Sequence, residues 1–422
     1  MDLGGSQTKV IASVPESSDS PILLCMEPEI ADVSAASVRN YEKTKSGEVD
    51  PENACWVGIG DEYYTVGFLA RHKYGGNSLL KQLKEENAVP KIGGVLWVLQ
   101  QKLKLSPKLI VRLTVLLPPS EYQDRERLEA KLRQELKLFN TPTGEMRVKL
   151  VDFNAKPEGG GIYLYRRSML GANIKNRNMA VVMLGHRNAS VLVSVRGAVA
   201  PGVSSTFGMS WMLDDFVRRC SGLLKEDPQL MAIIVAAGSE CNSSALASLS
   251  RRNSSAEESG EATEMQEALK LSRDEYFRAL VRWLSQELPR DLDEIIFGGG
   301  TAAYLKPELE AHYSHVSITW NGGVEIPPGL DTAGMSVRIA DVWALYQVCF
   351  GMDKSIKKDD SAEQQHPTPV RSSPDGKSAG QNLLSGELSG VLHPADFAAV
   401  ASSATERNVV KPKGFLEMPE KL

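Results

Sequence analysis

A chain of 422 residues, 42% hydrophobic and 24% charged, carries too much apolar material for one ordinary core and predicts two lobes. Its formal net charge of -5 excludes a globally basic surface, so no direct nucleic-acid binding is expected. Cys25, Cys55, Cys220, Cys241 and Cys349 form no CxxC pair, which argues against a metal knuckle or disulfide framework and for free thiols in the cytoplasm; no stretch reaches the roughly 18 apolar residues of a membrane span, and Met1–Gly5 lacks the basic start and apolar run of a signal peptide.

In chain order, apolar runs of β type at Thr8–Ser13, Ile22–Met26, Trp56–Ile59 and Leu109–Leu117 alternate with helical periodicity at Lys91–Leu105 and Ser120–Leu138. Ser120 before an acidic run marks a helix start. A second series follows, with strands predicted at Met146–Phe153, Ile162–Tyr165, Met179–Leu184 and Ser190–Val195, then a helix over Met209–Leu224. Leu230–Ala236 is apolar throughout, as expected for a strand covered on both faces. Asn242–Glu264, rich in Ser, Glu and Arg, reads as a solvated loop or disordered insertion. A helix over Met265–Glu287 leads into a strand at Glu294–Phe297, and Met335–Phe350 is a closing helix. From Asp353 to Leu422 Ser, Pro, Gln, Gly and Lys dominate, which predicts a disordered tail dispensable for folding, with Val391–Ala401 as a candidate docking segment. The expected organisation is an α/β protein with lobes at 1–155 and 156–352 and a tail at 353–422, its ligand lying between the lobes at the carboxyl ends of strands.

Three loops carry candidate chemistry. In Asp2-Leu3-Gly4-Gly5-Ser6-Gln7-Thr8-Lys9-Val10, Gly4 and Gly5 permit a tight turn and let backbone N–H groups approach phosphate oxygens. Ser6 and Gln7 add hydrogen-bond donors, Lys9 adds positive charge, and Asp2 can hold a hydrated Mg²⁺; a plain glycine-rich hairpin is the alternative. In Phe297–Leu305 a strand runs through Gly298, Gly299 and Gly300 into a helix start at Thr301, which suits a phosphate or ribose. A bulky residue at Gly299 or Gly300 is expected to block the ligand's approach. The third loop, Ala180–Ser190, is a strand, a turn at Gly185-His186-Arg187-Asn188 and a second strand, a hairpin when taken alone.

In this order and at these separations the loops resemble the motifs of the actin-like ATPase superfamily, nearest the ParM/StbA type of bacterial and plasmid actin homologues. Asp2–Val10 is similar to the first phosphate motif, residues 183–190 sit at the second, and Phe297–Leu305 resembles the adenosine motif. Lys156-Pro157-Glu158 falls where the ParM type carries Pro-Glu, and Ser204–Val217 resembles the segment that helps enclose the nucleotide. The resemblance implies a two-lobed, duplicated ribonuclease H-like fold with an interlobe cleft for ATP or another nucleoside triphosphate and Mg²⁺. It implies nucleotide contacts from Gly4, Gly5, Ser6, Gln7, Lys9, Gly185, Arg187, Gly298, Gly299, Gly300 and Thr301, metal binding at Asp2, and a water-orienting Glu158. It further implies self-association into filaments and plasmid or DNA segregation through an adaptor.

The departures matter. Where the family's second phosphate motif, D-x-G-x-T-x-x-D, has its two Asp, this chain has Met183 and Ser190, and only Gly185 is kept. Mg²⁺ binding then rests mainly on Asp2, and any hydrolysis is expected to be slow and to depend on Glu158; Pro-Glu-Gly-Gly-Gly also fits a solvated turn. Arg187 either contacts phosphate and replaces part of the metal's charge or is an exposed surface arginine. A full strand precedes the family's first Asp, whereas only Met1 precedes Asp2, so the sequence reads as a gene model with a misplaced start. Two alternatives stand beside the leading reading: a degenerate actin-like scaffold with weak or no ATPase, and a sugar kinase of the ROK type. Asp2-Leu3-Gly4-Gly5 resembles the opening of that kinase family too, although its CxCGxxGC cluster and ExGH stretch are not found here.

Overall fold

The computed structural model describes residues 1–15, 20–78, 80, 82–252 and 254–350. The tail expected at 353–422 and the docking segment at Val391–Ala401 lie outside the described residues.

β-Branched and apolar runs set the strands. In the first lobe these are β1 (Asp2–Leu3), β2 (Thr8–Ala12), β3 (Ile22–Met26), β4 (Ile30–Val33), β5 (Trp56–Ile59), β6 (Glu62–Val66), β7 (Lys108–Leu117), β8 (Phe139–Thr141) and β9 (Gly144–Pro157). They line up as β3-β2-β1-β7-β9-β8-β5-β6-β4. The second lobe has β10 (Asn178–Leu184), β11 (Ala189–Val195), β12 (Ala198–Val199), β13 (Val203–Ser205), β14 (Glu294–Gly298) and β15 (Ser317–Trp320), in the order β12-β11-β10-β14-β15 with β13 beside β11.

One plan is used twice. β1, β2 and β3 pair antiparallel, and β7 and β9 then continue parallel to β1. β10, β11 and β12 likewise pair antiparallel, and β14 and β15 continue parallel to β10. The fold is thus the duplicated two-lobed α/β arrangement implied by the order of the loops. In each lobe the first hairpin turn and the ends of the parallel strands come to the same edge, the position that binds ligands in open α/β sheets.

Each lobe has its own core, and a third cluster joins them. That cluster takes Leu116 from β7, Val181 from β10, Leu192 from β11 and Ile296 from β14. It also takes Ile162 and Tyr163 from the helix Gly160–Leu170 and Leu345 from the helix Ala340–Phe350. These two helices follow the last strand of each repeat and pack against one another. Buried Asp341 accepts hydrogen bonds from the N–H groups of Gly159 (2.7 Å) and Ile162 (3.0 Å), satisfying donors at the start of its partner helix. Burial pushes its carboxyl up to about 6, against the pull of those two amides. The closing helix also reaches the residue that follows β2, where Tyr346 donates to Ser13 Oγ (2.9 Å).

Four sequence expectations are corrected. Ile162–Tyr165 is helical, within Gly160–Leu170: Gly159, in the left-handed region at φ +85°, and the Asp341 carboxylate start a helix whose first turn is buried all round, so no 3.6-residue pattern shows. Leu230–Ala236 is the helix Leu230–Ala237, which buries Leu230, Ile234 and Ala237 at helical spacing; an apolar run carries no period to separate helix from strand. Asn242–Glu264 is no disordered insertion. A helix at Ser243–Leu246 is capped by Asn242, and the helix Ser255–Glu287 begins ten residues before Met265. Its start is written in Ser254-Ser255-Ala256-Glu257, where Ser254 Oγ accepts from the Glu257 N–H. The helix expected from Ser120 begins at Arg125, after a 3₁₀ turn over Pro119–Asp124. All five cysteines are free thiols, and no helix among the described residues is long and apolar enough to cross a membrane.

Candidate functional site

The two equivalent hairpin turns face each other. In the β1–β2 turn a Cβ on Gly4 would sit 2.6 Å from Gln7 O, so the turn closes only without a side chain there. In the β10–β11 turn Gly185 N donates to Asn188 O (2.9 Å). Gly185 O in turn accepts from Met209 N (3.1 Å), at the start of the helix Met209–Arg219, and from Thr301 Oγ1 (2.9 Å). The turns approach so closely that a Cβ on Gly5 would lie 3.2 Å from Arg187 Cβ. At the end of β14, Gly299 turns the chain at φ +94° and Gly300 lies against Arg338.

These loops open on one interlobe cavity of about 710 Å³, within the usual range of a small-molecule site. Asp2, Gly4, Gly5, Ser6, Lys9, Glu158, Gly185, Arg187, Gly299, Gly300 and Thr301 line it, all named from sequence. Gln7 and Gly298, also named from sequence, are not among its lining residues. Gln7 Oε1 faces Arg338 Nη2 (3.4 Å) beside the cavity, and Gly298 lies beneath Met183, whose Sδ would be 2.7 Å from an added Cβ. Lys84, Asp341 and Arg338 were missed. Lys84 stands in the run Gln82–Asn87, which looks solvated, and Arg338 within the expected closing helix; only long-range pairing assigns them.

One lysine organises the polar end. Lys84 Nζ lies 2.7 Å from Glu158 Oε1 and 3.2 Å from Asp2 Oδ1, and its side chain is 6% exposed. Burial works against its charge, but Glu158 and Asp2 raise its pKa above the ordinary value. Lys9 Nζ sits 2.6 Å from Asp2 Oδ2. Burial alone would raise Asp2; the two ammonium groups instead hold it well below the usual carboxylate range. Ser190, at the position of the family's second Asp, donates to Glu158 Oε2 (3.0 Å). Glu158 is therefore held in the cleft and is no solvated turn residue.

Arg187 is likewise no exposed surface arginine. Its side chain is 13% exposed, pairs with buried Glu121 across the lobes, and donates to Gln82 O (2.8 Å). Glu121 also accepts from Lys84 N (2.6 Å). Arg338 Nη2 donates to Ser6 Oγ (3.2 Å) beside the first turn. Burial holds the His186 imidazole down at about 4, so it is neutral near pH 7. Lys9, Lys84, Arg187 and Arg338 are met by Asp2, Glu158, Glu121 and Asp341, so the fixed charges balance around the cavity, and an anion would be held by directed ammonium and guanidinium groups. The far wall is largely apolar, with Met209, Met231, Val235, Tyr304 and Pro307, and suits a flat ring.

Mg²⁺ needs carboxylate oxygens open to a hydrated ion. Both Asp2 oxygens and Glu158 Oε1 face ammonium groups, and β10 offers Met183 in place of an acid. Among the described residues no group of three or more His, Cys, Asp or Glu is placed to hold a metal. The donor set does not fit a cation at Asp2.

The chain is similar to solved actin homologues. A ParM filament protein from Clostridium botulinum matches over 82% of this chain and 97% of its own, at 14% identity and a TM-score of 0.49. The psk41 ParM protein matches over 84% and 97%, at 12% and 0.47. Ta0583, an archaeal actin homologue, matches over 84% and 98%, at 16% and 0.45. No protein-family model and no curated protein matches the chain.

Proposed function

We propose that this chain is an actin-like nucleotide-binding protein that closes its lobes, 1–155 and 156–352, on ATP or another nucleoside triphosphate. The reading further gives it self-association into filaments and a segregation role through an adaptor. The observation that carries the nucleotide reading is the convergence of the two repeat-related turns, at Gly4–Gln7 and Gly185–Asn188, with Lys9, Lys84 and Arg338 on one interlobe cavity. Lys9 and Lys84 would supply charge-assisted contacts to the phosphates at the first turn, and Met231, Val235 and Tyr304 would take the base. The filament and adaptor parts rest on the resemblance of the three loops.

Lys9→Met is expected to weaken ATP binding by about tenfold or more, because a charge-assisted phosphate contact is lost. Titration calorimetry on wild type and variant checks this; equal affinities would remove the phosphate from this turn. Light scattering and pelleting with and without ATP test assembly.

Glu158 is the candidate for orienting the attacking water, since its carboxylate is held at the end of β9 and faces the cavity. Glu158→Gln is expected to abolish phosphate release while ATP affinity is kept. Release at the wild-type rate from the variant would discard the assignment. One observation favours the degenerate-scaffold reading: Lys84 and Ser190 already engage both Glu158 oxygens. A nucleotide would then be held without being cleaved, and wild-type turnover decides between the two.

A further inference from the structure

We infer that this site holds the phosphates of its nucleotide without a divalent cation, the Lys84 ammonium standing between Asp2 and Glu158 where a bridging metal would need to be. The inference rests on the nucleotide reading above and goes beyond it in naming the counter-ion.

Three observations carry it. The first is the place of the charge. Lys84 Nζ bridges carboxylates from β1 and from the end of β9, and Lys9 takes the other Asp2 oxygen. A cation arriving at Asp2 would displace an ammonium or lie beside it, and like charges repel strongly in a partly desolvated cleft. The second is anchorage. The Lys84 backbone N–H is fixed by Glu121 Oε2, Glu121 also pairs with Arg187, and the Lys84 side chain is nearly fully buried. Such a side chain is held from both ends and does not wander as an exposed lysine does. The third is the missing acid. Met183 stands where a carboxylate would complete a cation site, and Ser190 spends its hydroxyl on Glu158. What remains to meet a triphosphate is fixed positive charge from Lys9, Lys84 and Arg338.

The test is calorimetry of ATP binding to the full chain, in excess MgCl₂ and in EDTA. Wild type is expected to bind ATP with Kd values within about threefold of each other in the two conditions. Lys84→Met is expected to lose about tenfold or more of its affinity in EDTA and to recover most of it in MgCl₂, because Asp2 and Glu158 become open to the metal. Lys84→Arg keeps the charge and is expected to bind in EDTA. Mn²⁺ titrated alone, followed by water-proton relaxation, is expected to show no saturable site on wild type. Wild-type binding that needs Mg²⁺, or a saturable Mn²⁺ site without nucleotide, would overturn the inference and leave the nucleotide reading standing. No binding in either condition would overturn both. The wild-type comparison decides even if Lys84→Met does not fold.

Discussion

Gly299→Val is expected to destabilise the fold by about 4 kcal/mol, and not to leave a sound protein that merely fails to bind nucleotide. Gly299 has φ +94°, a conformation that costs a side-chain-bearing residue about 1–3 kcal/mol. An added Cβ would overlap the Leu184 carbonyl oxygen and stand 3.1 Å from the Leu184 carbonyl carbon. Leu184 ends β10, which is hydrogen-bonded between β11 and β14 and has no slack to give. The sequence expectation placed the obstacle at the ligand; the structure places it at a neighbouring strand. At Gly300 an added Cβ meets Arg338 Cγ at 3.2 Å, a flexible side chain, so Gly300→Ala is expected to stay within about 1 kcal/mol of wild type. Urea denaturation of both variants checks the contrast. A Gly299→Val protein with the wild-type midpoint and no ATP binding would restore the ligand-approach account.

The second large effect is at the junction of the lobes. Gly161→Val is expected to cost about 3–5 kcal/mol, because the two helices that follow the last strand of each repeat touch backbone to backbone there. An added Cβ would overlap the Asp341 carbonyl oxygen and lie 2.8 Å from both Asp341 Oδ1 and Leu345 N. Relief requires moving the helix Ala340–Phe350 away, which strips Gly159 and Ile162 of their carboxylate acceptor and opens the cluster around Ile162 and Leu345. Thermal melting measures the loss, and a variant that melts within a few degrees of wild type would show that the helices can slide apart at little cost. Gly161 permits this helix contact, and a Cβ on Gly159 would meet Met183 Cγ at 2.9 Å.

By itself the sequence determined the elements whose signal is local. β2, β3, β5, β10, β11 and β14 lie where alternating or β-branched runs were read, because side-chain packing on a pleated sheet is written in consecutive residues. The glycine loops were legible for the same reason: a tight turn or a positive φ restricts the residue type at one position. Only the tertiary structure decided what depends on partners far along the chain. Leu230–Ala237 is helical because its core neighbours take one face of a run that has no period of its own. Arg187 is withdrawn from solvent by Glu121, 66 residues away, and Lys84 is drawn between Asp2 and Glu158, 82 and 74 residues away. A charged side chain shows in sequence only its charge. Whether that charge is solvated or buried in a cleft is set by the carboxylates the fold brings to it, and no local pattern encodes that meeting.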